Sequence, residues 1–152
     1  MIGIATGMVA GLATITPASG SVGPAGALLI GFLAGFVCFY ATQAVKSFFK
    51  IDDSLDVFPV HGVGGILGII MIAFVGDPDG FLGSGAAGIS EDGAIAQLMI
   101  QLQGVIVISA YTAIVTYVIL KLVSTVTDVR ASEEDEDVGL DMSEHNEQGY
   151  SL

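Results

Sequence analysis

Four apolar stretches dominate this chain, at residues 1–15, 24–45, 57–76 and 95–123. A helix crossing the hydrocarbon core of a bilayer needs about 20 such residues, so three of the stretches are long enough and the first is short. Lipid offers no partner to backbone polar groups, which favours helices that satisfy their own hydrogen bonds. The expected fold class is therefore all-α, a polytopic membrane helix bundle. Composition points the same way: 53% of the residues are hydrophobic and only 13% charged, against about 25% charged in a typical soluble domain.

The first stretch begins at Met1 with neither a basic leader nor a small-residue cleavage site, so it does not read as a signal peptide. It reads as a helix cut part-way, and the chain as the C-terminal portion of a larger bundle. The other reading is a complete four-helix protein whose first segment lies in the interface. On this division residues 1–127 form a transmembrane domain and residues 128–152 an acidic tail. Lys and Arg near span ends mark the cytoplasmic side. Lys46 and Lys50 follow the second stretch, Lys121 and Arg130 follow the fourth, and the loops at 16–23 and 77–94 have no basic residue. The expectation is a multi-pass protein of the cell membrane with a cytoplasmic C-terminus. The net charge of −12 is a local matter, because residues from Asp128 onward hold nine of the sixteen acids and one arginine. Such a balance excludes nucleic-acid binding, and an acidic tail repels anionic lipid.

Small residues recur at helical spacing: Gly3, Gly7 and Gly11, then Gly31 and Gly35, then Gly64 and Gly68. Stripes of this kind let membrane helices approach closely. Ser109, Thr112 and Thr116 share one face of the last stretch, as do Gln97 and Gln101 near its start, and interhelical hydrogen bonding is their expected role. Cys38 is the only cysteine, so no internal disulfide can form. No phosphate loop, paired cysteines or metal-ligand spacing is present, and glycines inside a span are packing rather than a dinucleotide fingerprint.

The third stretch carries a histidine, in Val57-Phe58-Pro59-Val60-His61-Gly62-Val63-Gly64-Gly65-Ile66-Leu67-Gly68. An ionisable group at bilayer depth is costly and normally faces a protein interior or an aqueous path, which makes His61 a functional candidate. Asp52, Asp53 and Asp56 stand where carboxylates suit the positive end of a helix. Pro59 is compatible only with a helix start or a break. The helix is thus expected to begin irregularly with His61 inside it. Gly62, Gly64 and Gly65 clear bulk from beside the imidazole, leaving room for a partner helix or a small solute. Dry surroundings favour the neutral ring, with one nitrogen donating and the other accepting. Such a ring suits accepting a hydrogen bond from a small amine or relaying a proton. It equally suits holding helices in register by bonding a neighbouring carbonyl or side chain.

These residues resemble a known signature. Asp56 through Gly65 resembles the start of the tenth helix of the Amt/Mep ammonium transporters, and Ile15-Thr16-Pro17-Ala18-Ser19-Gly20 resembles their turn between helices eight and nine. The tail, from Glu133-Glu134 through Gly139-Leu140-Asp141 to Ser143-Glu144-His145-Asn146-Glu147 and Tyr150, resembles their cytoplasmic C-terminus. The three motifs fall in family order over all 152 residues, and they correspond to the last third or so of a member. The related Rhesus branch is less similar. Two positions depart from the pattern: Pro59 stands for a common glycine before Val-His, and Asn146 for the usual glycine in the tail's His-Gly-Glu.

The resemblance implies a homotrimer of eleven-helix subunits, ten of the helices forming two inverted halves around a pore, with the site near the midplane. It implies that His61 is the second of two histidines sharing a hydrogen bond in a hydrophobic lumen, and that Leu55 and Val57 line the lumen's cytoplasmic end. Asp56, Phe58 and Pro59 then shape the pore-helix entrance, while Gly62, Gly64, Gly65 and Gly68 serve helix packing. The implied substrates are ammonium or ammonia and methylammonium, with no cofactor and no metal. Gly139, Leu140, Asp141 and Tyr150 fall in a regulatory segment that contacts the neighbouring protomer and adjoins the docking surface of a PII-type signalling protein. A member of this family is a transporter, not an enzyme. The alternative on the same fold is a membrane-bound ammonium sensor or PII-docking subunit without net transport.

Overall fold

The computed structural model describes residues 2–76 and 93–147, and every element in it is helical. Tyr150 and most of the acidic loop at 77–94 lie outside the described residues. The chain divides into two compact units, Met1–Val107 and Ile108–Leu152.

In the first unit, α1 (Ile2–Ile15) ends in a 3-10 turn at Thr16–Ala18. Pro17 cannot continue the helical ladder. Local hydroxyls take over there, Thr16 Oγ1 donating to the Leu12 carbonyl at 2.7 Å and Ser19 Oγ to the Thr16 carbonyl at 3.0 Å. α2 (Pro24–Gln43) starts with Gly23 as cap and Pro24 in its first turn, where a missing N–H costs nothing and the ring presets φ. The helix then widens into a π-helical continuation, Ala44–Phe48. The Phe49 N–H donates to the Ala44 carbonyl at 2.9 Å and the Ile51 N–H to the Val45 carbonyl at 3.0 Å. Lys50, at φ 53°, closes the segment in the left-handed region. The apolar span is thus Pro24–Phe48, 25 residues, which runs past the end expected from hydropathy.

The third span begins as a π turn, Phe58–Val63, and continues as α3 (Gly64–Val75). This is the irregular start that Pro59 requires. α1, α2 and α3 pack together around two buried clusters. Ala18, Val22, Ile30, Ile72 and Val75 form one, and Ala10, Cys38 and Val60 the other. The close approach of α3 to α1 depends on glycine. A Cβ at Gly64 would lie 2.7 Å from Thr14 Oγ1 and 3.3 Å from Cys38 Sγ, and one at Gly68 would collide with the Thr14 carbonyl oxygen and come within 2.9 Å of Pro17 Cγ.

The other glycine stripe behaves differently. Gly11 faces Gly31, whose Cα would be 3.9 Å from an added Cβ, but Gly3, Gly7, Gly31 and Gly35 have nothing within 4 Å of theirs. Gly7, Gly31 and Gly35 instead floor a groove of about 630 Å³ whose walls include Met8, Phe32 and Phe36. Apolar side chains outside the core are widely exposed, among them Phe32, Phe36, Phe39 and Tyr40. In water so much apolar surface marks an interaction face; in a bilayer it is the surface that meets lipid or further helices.

α4 (Ala94–Val123) is a single helix of 30 residues, about 45 Å long at 1.5 Å per residue. Gln97, near its start, is buried as interhelical bonding would require, whereas Ser109, Thr112 and Thr116 are exposed among the described residues. In the second unit the tail is not left as a solvated run of acids but forms α5 (Glu133–Val138) and α6 (Leu140–Ser143). Ser132 caps α5, its Oγ accepting from the Asp135 N–H at 3.1 Å and donating to Asp135 Oδ2 at 2.6 Å. Arg130 holds Glu136 through two bonds, Nε to Oε1 at 2.9 Å and NH2 to Oε2 at 3.1 Å. Acids in a first turn also suit the positive end of a helix. These local interactions offset the repulsion that charge alone would predict.

Candidate functional site

The site is built where α2 ends and the third span begins. Asp53 supplies the start of that span: its Oδ1 accepts from the Val57 N–H and its Oδ2 from the Phe58 N–H, each at 2.9 Å. One carboxylate thus satisfies two of the orphan donors that any helix start presents. Asp56 sits at φ 57°, a left-handed conformation that few non-glycine residues adopt and that Asp tolerates better than most. Its Oδ1 lies 2.8 Å from Lys46 Nζ in the π continuation of α2. Its carbonyl accepts from the Val60 N–H at 3.0 Å.

From this anchored start the π turn sorts its side chains into two sets. Pro59 and Val60 are buried against the bundle, whereas Phe58 and His61 face outward. Leu55 and Val57, just before the turn, are likewise uncovered by this segment, at 84% and 52% exposed. The glycines that follow divide the same way. Gly64 and Gly68 are buried against α1. A Cβ at Gly62 would meet the Phe58 ring of its own turn at 3.0 Å, and Gly65, four residues past His61, has nothing within 4 Å. Among the described residues Gly64 and Gly68 thus pack this helix against α1, and Gly62 lies against the Phe58 ring of its own turn.

Among the described residues the His61 ring has no hydrogen-bond partner, so the alternative in which it ties neighbouring elements together finds no bond in this segment. The described residues hold no cluster of three His, Cys, Asp or Glu that a metal ion would need. What the arrangement presents chemically is an imidazole on an exposed, largely apolar face, with the carboxylates of Asp53 and Asp56 at the start of the span. Sequence reasoning placed Val57, Phe58 and His61 on the span and Leu55 just before it, but did not single out Asp53 as the cap, although Asp preceding a proline-containing helix start is a recognised signal. Lys46 as the partner of Asp56, and Thr14 as the surface under Gly64 and Gly68, are products of the tertiary fold and carry no local signal.

In the tail, Gly139 separates α5 from α6 at φ 99°, and a Cβ there would lie 2.9 Å from Asp141 Oδ1. Leu140 is 46% exposed. Asn146 is left-handed at φ 52°, a conformation that glycine and asparagine share. That conformation accounts for the departure at this position: either residue makes the same turn.

Among the described residues three helices are long and apolar enough to cross a membrane, which puts the chain in the class of polytopic membrane proteins. Residues 1–150 match the profile of the Ammonium Transporter Family. The chain is 41% identical over 152 residues to an ammonium transporter of Aquifex aeolicus, covering all of this chain and 35% of that one. It is 40% identical to ammonium transporter Amt1 of Archaeoglobus fulgidus over 99% of this chain and 37% of the relative. A solved structure described as a Sensor Amt Protein superposes with a TM-score of 0.77 at 31% identity, over 91% of this chain and 33% of its own. The chain belongs to the ammonium transporter family, and it spans about a third of the length of the relatives it matches.

Proposed function

We propose that this segment forms part of the wall of an ammonium-conducting pore, with His61 as the intramembrane polar group. The observation that carries the reading is the sorting of the π turn: His61, Leu55, Val57 and Phe58 face away from the α1–α3 core, while Pro59, Val60, Gly64 and Gly68 face into it. A histidine serving only to pack this bundle would lie on the other side. The pore is completed by helices beyond these residues, which carry the first histidine of the pair, and the family's homotrimer is the assembly in which it works. The protein is multi-pass, with its tail in the cytoplasm.

The chemistry follows from desolvation. Ammonium is a cation and must shed water to enter an apolar lumen, at a cost that falls sharply if it gives up a proton and crosses as ammonia. A neutral imidazole accepts a hydrogen bond from the amine and passes a proton separately, and the exposed Leu55 and Val57 keep bulk water from its side. K+ has no proton to lose and is excluded. The test is uptake by liposomes holding a full-length family member that carries these residues. Saturable methylammonium uptake without K+ conductance is expected; binding of ammonium without any flux would favour the sensor reading instead.

The tail is the regulatory part of this reading, adjoining the surface where a PII-type protein docks. Gly139→Asp should lower transport severalfold with the pore helices unchanged, because it puts a side chain at φ 99° and a second carboxylate beside Asp141. The measurement is methylammonium uptake and PII binding beside a tail-deleted protein. Wild-type behaviour in both proteins would make the tail a bystander.

A further inference from the structure

We propose that Lys46 is a positioning residue for His61, acting through its ion pair with Asp56; the inference rests on the reading of His61 as a pore residue. Two π-helical segments stand at this junction, Ala44–Phe48 at the end of α2 and Phe58–Val63 at the start of the third span, and Lys46 belongs to the first. π turns are rare, are found mostly at functional sites, and are a poor substitute for the α ladder unless their surroundings hold them.

Here both ends of the second one are held. On its far side Gly64 and Gly68 seat α3 against Thr14, so α3 can neither slide nor rotate without a collision. On its near side Asp56 is held in the left-handed region, with Lys46 Nζ at 2.8 Å from its carboxylate and its carbonyl taken by the N–H of Val60, the residue before His61. Asp53 caps the two residues between, Val57 and Phe58. His61 therefore lies in a six-residue wide turn stretched between two fixed ends, and one of those ends depends on a lysine of another helix. Release of that end lets Asp56 leave its strained conformation and the turn return to the α register. One residue of register turns a side chain by about 100°, enough to carry the imidazole out of line with the Leu55 and Val57 face while α3 beyond it stays in place.

The test uses a full-length family member carrying these residues. Lys46→Met keeps the aliphatic stem and removes the charge. It should lower methylammonium flux by about tenfold, the scale of a misplaced functional group, and shift ammonium-over-K+ selectivity in the direction that His61→Ala does, at an unchanged yield of assembled protein. Lys46→Arg, which keeps the pair, should retain both properties. Combined with Asp56→Asn, Lys46→Met should lose no more than either single change, since both break one interaction. Wild-type flux and selectivity in Lys46→Met, or losses that multiply in the double variant, overturn the proposal. Should Lys46→Met fail to assemble, Lys46→Gln, which also removes the charge and keeps a polar head, reads the same pair, and unchanged flux there is equally fatal. A silent His61→Ala sinks the pore reading itself, whereas a damaging His61→Ala beside a silent Lys46→Met sinks only the role of Lys46.

Discussion

His61→Ala, made in a full-length family member that carries these residues, is expected to abolish methylammonium flux or to admit K+, while the protein still assembles. The two halves of this result have separate causes. The imidazole projects from the outward face of the π turn and has no hydrogen-bond partner among the described residues, so its removal empties no space in the α1–α3 core. The lumen, in contrast, loses a group able to accept a hydrogen bond from ammonia, and with it the reason for a dehydrated amine to enter an apolar passage. Uptake of labelled methylammonium and K+ conductance measured on the same vesicles separate the outcomes. If both match wild type, His61 is a packing residue.

Gly68→Ala is expected to do the opposite, failing before transport is reached. The added methyl would meet the Thr14 carbonyl, a backbone atom that no rotamer change can move, with Pro17 Cγ 2.9 Å away on the other side. Overpacking of this kind costs about 1–3 kcal/mol and sometimes more, so a loss of assembled protein and a lower melting temperature are the expected signs. Gly64→Ala should be milder, because its obstacles are the side-chain atoms Thr14 Oγ1 and Cys38 Sγ. The two positions are distinguished by rescue: Thr14→Ala should restore much of the stability lost in Gly64→Ala and little of that lost in Gly68→Ala. Equal rescue at both, read as thermal stability in detergent, would show that α3 does not seat on α1 by this contact.

The helices were legible in the chain because length and apolarity decide them: the stretches at 1–15, 24–45, 57–76 and 95–123 all appear, with ends moved by a few residues. The irregular start at Pro59 was legible for a chemical reason, the missing N–H. What hydropathy could not express was register. The π continuation at Ala44–Phe48 adds to α2 without any change in apolar content, and whether a glycine such as Gly65 meets another helix or open space depends on rotation about the axis. His61 was legible as an oddity within a span, and its outward direction was not. Nor was the pairing of Lys46 with Asp56, since the two meet only because two chain segments turn back beside each other.

The length of α4 bears on the membrane it can occupy. At about 45 Å it exceeds a hydrocarbon slab of about 30 Å, and the tilt of roughly 20° common among spanning helices shortens its reach only to about 42 Å. The excess of roughly two turns must project into the headgroups or beyond. Toward its C-terminal end Lys121 and Tyr117 lie together, the ammonium 5.8 Å from the ring centroid, the kind of pair that anchors at an interface. In a thicker bilayer the same helix stands more upright with less of it protruding, so bilayer thickness sets how far the base of the acidic tail is held from the lipid surface.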